Sequence, residues 1–155
     1  MSPASLQDYL YRHIPLSAAM QVAVREATPT LVELHAPLAP NVNHRGTAFG
    51  GSIATLATLA GWSLLRIRLD GMAPLPHLVI RHSEMAFLAP VPDAFSARTR
   101  YPADADWAAF LDTLAKRGKA RLELIIEVLA GETLAARMKG EFVALAVSPE
   151  ADGVS

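Results

Sequence analysis

The 155-residue chain contains no cysteine, which excludes a disulfide framework, a thiolate metal site and a cysteine nucleophile. Charge of one sign is also missing: 14 Lys and Arg stand against 15 Asp and Glu, for a formal net charge of −1. That balance supplies no electrostatic attraction to nucleic acid or to an anionic membrane. No His, Asp and Glu group has metal-ligand spacing and no nucleotide-type glycine loop occurs, so neither metal nor cofactor is expected. The opening MSPASLQDYLYRH has no basic stretch leading into an apolar one and does not read as a signal peptide, which leaves a cytoplasmic location as the default expectation. Charged residues make up only 19% of the chain and hydrophobic ones 52%. This apolar tilt implies either a helix buried on all sides or apolar surface covered in an oligomer. The length suits one domain with a proper core rather than two.

What is present begins with an uncharged run. Gly46 to Leu65 carries no ionisable side chain and is flanked by Arg45 and by Arg66 and Arg68. Its Gly46-x-x-x-Gly50 spacing would suit helix pairing in lipid. A membrane span, however, needs roughly 20 mostly apolar residues, and only about half of these are apolar. Ser52, Thr55, Thr58 and Ser63 dilute the run, so it reads as a core helix, from about Gly50 to Leu69. Gly50, Ala54, Ala57 and Gly61 form a stripe of small residues that lets a sheet approach closely. Ile53, Leu56, Leu59, Ala60 and Leu64 make most of the remaining surface apolar, the pattern of a buried helix.

The flanking segments alternate with a period of two. A short amphipathic helix, capped by Ser2 or Ser5 and stopped by Pro15, leads into strands with Met20, Val22 and Val24, then Val32, Leu34 and Ala36, on one face. After the long helix come a strand over Leu78–Leu88, another with Phe95, Ala97, Thr99 and Tyr101 inward, and a helical insert capped by Asp104 or Asp106. Two long strands follow, with Leu122, Leu124, Ile126 and Val128, then Leu134, Ala136, Met138, Gly140, Phe142 and Ala144, facing inward. Strands on both sides of one apolar helix predict an α+β domain, an antiparallel sheet wrapped around that helix, over residues 1–147. Residues 148–155 (SPEADGVS) read as a disordered tail.

The stretch APLAPNVNHRGTAFGGSIATLATLAGW resembles the hotdog thioesterases, and more narrowly the YiiD C-terminal family of thioesterases. The likeness runs from YLYRHIPLSAAM through HLVIRHSEMAFLAPV to the last strand, and its centre is an Asn-x-x-Gly-x-x-x-Gly-Gly spacing that opens a helix. The resemblance implies a hotdog fold, no cofactor, and an acyl-CoA or acyl-carrier-protein thioester as the substrate. It also implies a homodimer or dimer of dimers whose acyl channel lies at the interface. The Gly51 amide then becomes the oxyanion contact, beside Gly50, because N–H groups at a helix start stabilise charge developing on the thioester oxygen. The alternative is that both glycines only serve a tight turn. Asn43 matches a loop asparagine that positions nucleophile or carbonyl in the PaaI-like group; Asn41 and His44 stand near it as substrate contacts. Alternatively, the two asparagines only satisfy loop backbone.

The departures from that pattern are equally specific. Phe49 stands where the PaaI-like pattern has histidine, and Thr58 where it has a helix carboxylate serving as base or nucleophile. Thr55 and Thr58 share the Gly51 stripe and face the same way, Thr58 to hold a water and Thr55 as a substrate contact; the alternative is that both hydroxyls bond back to their own helix. Glu84 and His82, two apart on the strand after the helix, face one way and Ser83 the other. If buried near the helix start, Glu84 is the candidate base with His82 beside it; otherwise the pair is a solvated face. Arg45 and Arg81 are candidates for the phosphates of the carrier arm. Three functions follow in order: thioester hydrolysis, non-catalytic binding of acyl thioesters, and a hotdog dehydratase or hydratase, which needs an acid-base pair that Phe49 and Thr58 replace.

Overall fold

In the computed structural model, which describes residues 1–148, the chain begins with helix α1 (Pro3–His13). The predicted tail therefore lies, Ser148 apart, outside the described residues. Ser2 and Ser5 cap α1 reciprocally, each hydroxyl accepting from the other's backbone N–H. Pro15 does more than stop this helix: it opens a second one, α2 (Pro15–Ala19), where a missing N–H costs nothing and a helical φ is already set. The strand expected from Met20 is corrected accordingly. Met20 ends α2, Gln21 is left-handed at φ 57, and β1 runs over Ala23–Ala27.

β2 (Leu31–Ala36) buries Val32, Leu34 and Ala36, as its alternation predicts. A loop containing a 3-10 turn at Ala39–Asn41 leads to the long helix α3 (Gly50–Arg68), one residue short of the predicted span. The rest is β3 (His77–Phe87), β4 (Phe95–Arg100), α4 (Trp107–Arg117), β5 (Lys119–Ala130) and β6 (Thr133–Leu145). Asp106, not Asp104, caps α4 by accepting from the Ala109 N–H at 3.0 Å. The six strands form one antiparallel sheet in the order β1-β2-β4-β5-β6-β3, and α3 touches every strand of it. This is the hotdog arrangement. No helix among the described residues is long and apolar enough to cross a membrane.

The small stripe explains how closely helix and sheet meet. A Cβ built on Gly61 would lie 2.4 Å from Phe142 Cζ, and one on Gly140 would lie 2.9 Å from Phe142 Cε2. The fully buried Phe142 ring is thus wedged between the helix backbone and its own strand, filling space that any larger residue at 61 would occupy.

One local irregularity reorients the edge strand. β3 pairs with β6, but the register shifts between Ile80 and His82, leaving Arg81 as a bulge. Ile80 pairs with the inward Phe142, whereas His82 pairs with Glu141 and Glu84 with Lys139, both on the outer face. Ser83 and Met85, opposite Gly140 and Met138, are the ones turned toward α3. A one-residue slip moves every following side chain to the other face.

Replacing Gly61 with Ala should lower stability by about 1–3 kcal/mol in urea denaturation, because overpacking against a trapped ring outweighs the gain in helix propensity. Adding Phe142→Leu should recover part of that loss.

Candidate functional site at the start of the central helix

The loop before α3 is closed by an isolated bridge between Val42 and Ala48, and Asn43 organises its interior. Asn43 Oδ1 accepts from the N–H groups of Arg45 (2.8 Å) and Thr47 (3.2 Å). Its Nδ2 donates to Thr47 Oγ1 (2.9 Å) and, more weakly, to the Ala48 carbonyl (3.5 Å). All four bonding positions of the amide are thereby occupied within the loop. Asn41, 2% exposed, donates to the Met20 and Pro37 carbonyls and so ties the loop to α2 and β2. In this structure both asparagines perform the backbone-satisfying role that was the alternative to ligand contact. His44 and Arg45 are exposed on the loop, free to meet a ligand arriving from solvent.

The helix start itself is left open. The Phe49 N–H donates to the Asn41 carbonyl at 2.7 Å, and the Phe49 side chain offers no cap. The first-turn amides of Gly50, Gly51 and Ser52 therefore have neither an intrahelical acceptor nor a side-chain cap. Neither glycine has a positive φ; in this loop only Gly46, at φ 80, needs glycine for its conformation. Backbone conformation therefore sets no need for glycine at 50 or 51. What glycine allows at 51 is close approach: the exposed Phe49 ring lies over it, 2.4 Å from where a Cβ would stand.

From Gly51 a stripe runs along α3 through Thr55, Thr58 and Trp62, spaced four, three and four. The last three of these residues, with Leu78 and Ile80 of β3 opposite, line a cavity of about 500 Å³. A second cavity of about 390 Å³ lies beside the helix start, between Gly50 and Ile53 and the exposed Phe87 and Leu88. Both threonine hydroxyls bond back to their helix, Thr55 to the Gly51 carbonyl at 2.8 Å and Thr58 to the Ala54 carbonyl at 2.9 Å. Each hydroxyl proton is thus occupied, while the oxygen lone pairs remain able to accept.

The premise that Glu84 and His82 are buried near the helix start is corrected. The bulge at Arg81 puts them on the outer face, more than half exposed, with His82 Nε2 and Glu84 Oε1 3.5 Å apart. Arg81 is engaged as well. It donates to Glu141 at 2.8 Å and, with help from Arg121, holds that carboxyl below the usual carboxylate range. Among the described residues no three His, Asp or Glu side chains gather as a metal site. Sequence reasoning passed over Trp62 as a functional residue, although its place eleven residues after Gly51 on the same stripe was legible. It also gave no role to Ser83 and Met85, whose inward orientation depends on the bulge.

An antiparallel sheet wrapped around one apolar helix is the architecture of the hotdog enzymes. Residues 3–146 match the model of the family described as putative thioesterase (yiiD_Cterm), and the chain belongs to that family. By class it is an acyl-thioester hydrolase. It is similar to a protein from Shewanella oneidensis described as a putative thioesterase, at 30% identity and TM-score 0.81, covering 92% of this chain and 96% of that one. A probable thioesterase from Pseudomonas aeruginosa shares the fold at 21% identity and TM-score 0.79, over 94% of this chain and 97% of that one. So does a thioesterase from Haemophilus influenzae, at 14% identity and TM-score 0.74, over 96% and 94%.

Asn43→Ala removes four hydrogen bonds at once and should cost about 1–3 kcal/mol in thermal or chemical unfolding, the usual range for orphaning loop polar groups. A loss near zero would show that the loop is held by other means.

Proposed function

We propose that the chain hydrolyses acyl-CoA or acyl-carrier-protein thioesters in the groove between α3 and β3, working as a homodimer. The observation that carries this reading is the uncapped start of α3 opening onto a groove with apolar walls. The thioester oxygen accepts from the Gly51 N–H, with Gly50 alongside, and the positive end of a 19-residue helix reinforces that contact. Water attacks the carbonyl carbon, the C–S bond breaks, and the thiolate departs with the proton that the water gives up. Thr58 orients the water by accepting from it, since the hydroxyl's own proton is held by Ala54. Asn43 acts indirectly, holding the loop that sets the position of Gly50-Gly51. His44 and Arg45, exposed on that loop, meet the phosphates of the carrier arm.

In this reading a second copy donates the group that takes the proton from the attacking water and passes it to the departing thiolate. The edge strand supports the same conclusion. β3 is a long edge strand, unpaired on its outer side, bearing Val79 at 44% and Phe87 at 57% exposure, with Leu88 at 57% just after it and Phe49 at 58% nearby. An exposed edge strand of eleven residues, apolar toward both ends, is a template for pairing with another chain. Pairing two β3 edges would cover the open side of the groove and exclude water from it.

Two experiments test this. Purified protein should release thiol from acyl-CoA substrates, and Gly51→Ala should lower kcat by about ten- to a hundredfold while leaving the melting temperature within a few degrees. Saturable binding without thiol release would instead support the acyl-thioester-binding reading. Light scattering should give about twice the 16.6 kDa chain mass, with Val79→Lys shifting it toward the monomer and reducing activity. A monomeric, fully active protein would overturn the shared site.

A further inference from the structure

We infer that Trp62 is the floor of the acyl groove and limits the substrate to aliphatic chains of medium length. This rests on the hydrolase reading of that groove and adds the determinant of chain length. The stripe Gly51, Thr55, Thr58, Trp62 begins at the free amide and ends at the indole. There the Trp62 Nε1–H donates to the Leu78 carbonyl at 3.1 Å, a bond that crosses from α3 to β3 and closes the groove between them. The ring is braced from outside. Tyr9 of α1 stacks with it at 6.1 Å between centroids, and Ile14, between α1 and α2, lines the same end. Tyr9 is itself held by the Arg66 guanidinium, 4.8 Å from its ring centre. Anchored to the sheet and backed by the N-terminal helices, the indole cannot swing aside as a free surface ring could.

The same geometry sets a length. Eleven residues of α-helix rise about 16 Å, and helical side chains lean toward the N-terminus by about one turn, leaving about 11 Å between the Gly51 amide and the indole. An extended chain with C–C bonds of about 1.5 Å advances about 1.25 Å per carbon, so about eight to ten carbons reach the floor. The walls named here, Thr55, Thr58, Leu78 and Ile80, offer no charge to a polar acyl group, which selects an aliphatic one.

The test measures kcat/KM by thiol release for the full chain against saturated acyl-CoA thioesters from two to sixteen carbons. Wild-type activity should peak near eight to ten carbons. In Trp62→Ala the ratio of the fourteen-carbon to the eight-carbon value should rise by about tenfold, and in Trp62→Phe by less, in keeping with the worth of a few methylenes in an apolar pocket. Should the alanine variant fail to fold, Ile80→Trp narrows the groove from the opposite wall and should move the optimum to shorter chains. Hydrolysis with an unshifted profile in the folded variants overturns the floor while leaving the hydrolase reading intact. If wild type releases no thiol from any chain, whether carried on CoA or on acyl carrier protein, the hydrolase reading fails. Calorimetric binding of the same series then decides the floor alone: an affinity maximum moved to longer chains by Trp62→Ala supports it, and an unmoved one overturns it.

Discussion

The contact between the Phe142 ring and the backbone of Gly61 governs the rest of the structure. A sheet can wrap a helix on several sides only if the helix is narrow where the sheet is closest. Gly61 provides that narrowing, Gly140 makes room on the strand, and Phe142 fills the notch left between them. With the middle of α3 fixed against β6, the two ends of the helix and the edge strand β3 take their positions. Leu78 meets Trp62 near the C-terminal half, while Phe87 comes to 3.5 Å of the Cβ position of Gly50 at the start.

The N-terminal end then carries a tension between stability and use. A helix of 19 residues normally gains from a Ser, Thr, Asp or Asn cap, worth about 1 kcal/mol. Here Phe49 occupies the cap position and the loop asparagines direct their amides elsewhere, Asn43 into its own loop and Asn41 toward α2. The cap is forgone at the end of the helix that faces the groove, and the first-turn amides remain available to an incoming acceptor. The loop that presents them is held by the four hydrogen bonds of Asn43.

The edge strand shows a similar balance. An inward-facing Met85 and exposed Val79, Phe87 and Leu88 leave β3 poorly covered within one chain, although its pairing with β6 is extensive. The outer face of the same strand is polar, with Arg81, His82 and Glu84 among charged neighbours on β6. A strand so divided presents solvent to one side and leaves apolar surface along its rim.

Much of this was legible in the sequence. The uncharged run foretold α3 to within a residue, and the alternations foretold which side chains of β2, β4 and β5 turn inward. They foretold those of β6 only from Ala136 onward, because a register shift at Ala135 turns Leu134 away from the core against expectation. The Asn-x-x-Gly-x-x-x-Gly-Gly spacing pointed to the loop and helix start. These signals are local: periodicity, punctuation by proline and glycine, and the absence of charge act within a few residues of where they are written. What only the tertiary structure decided depends on partners distant in the chain. The bulge at Arg81 exists because β3 must register against β6, sixty residues away, and it alone sends Glu84 and His82 outward and Ser83 inward. The occupied amide of Asn43 depends on the loop closing, and the place of Trp62 depends on the Leu78 carbonyl reaching its indole. The sequence by itself determined the helix and the turn that opens it. Folding determined which groups face the groove, because facing is a property of pairing and not of any one segment.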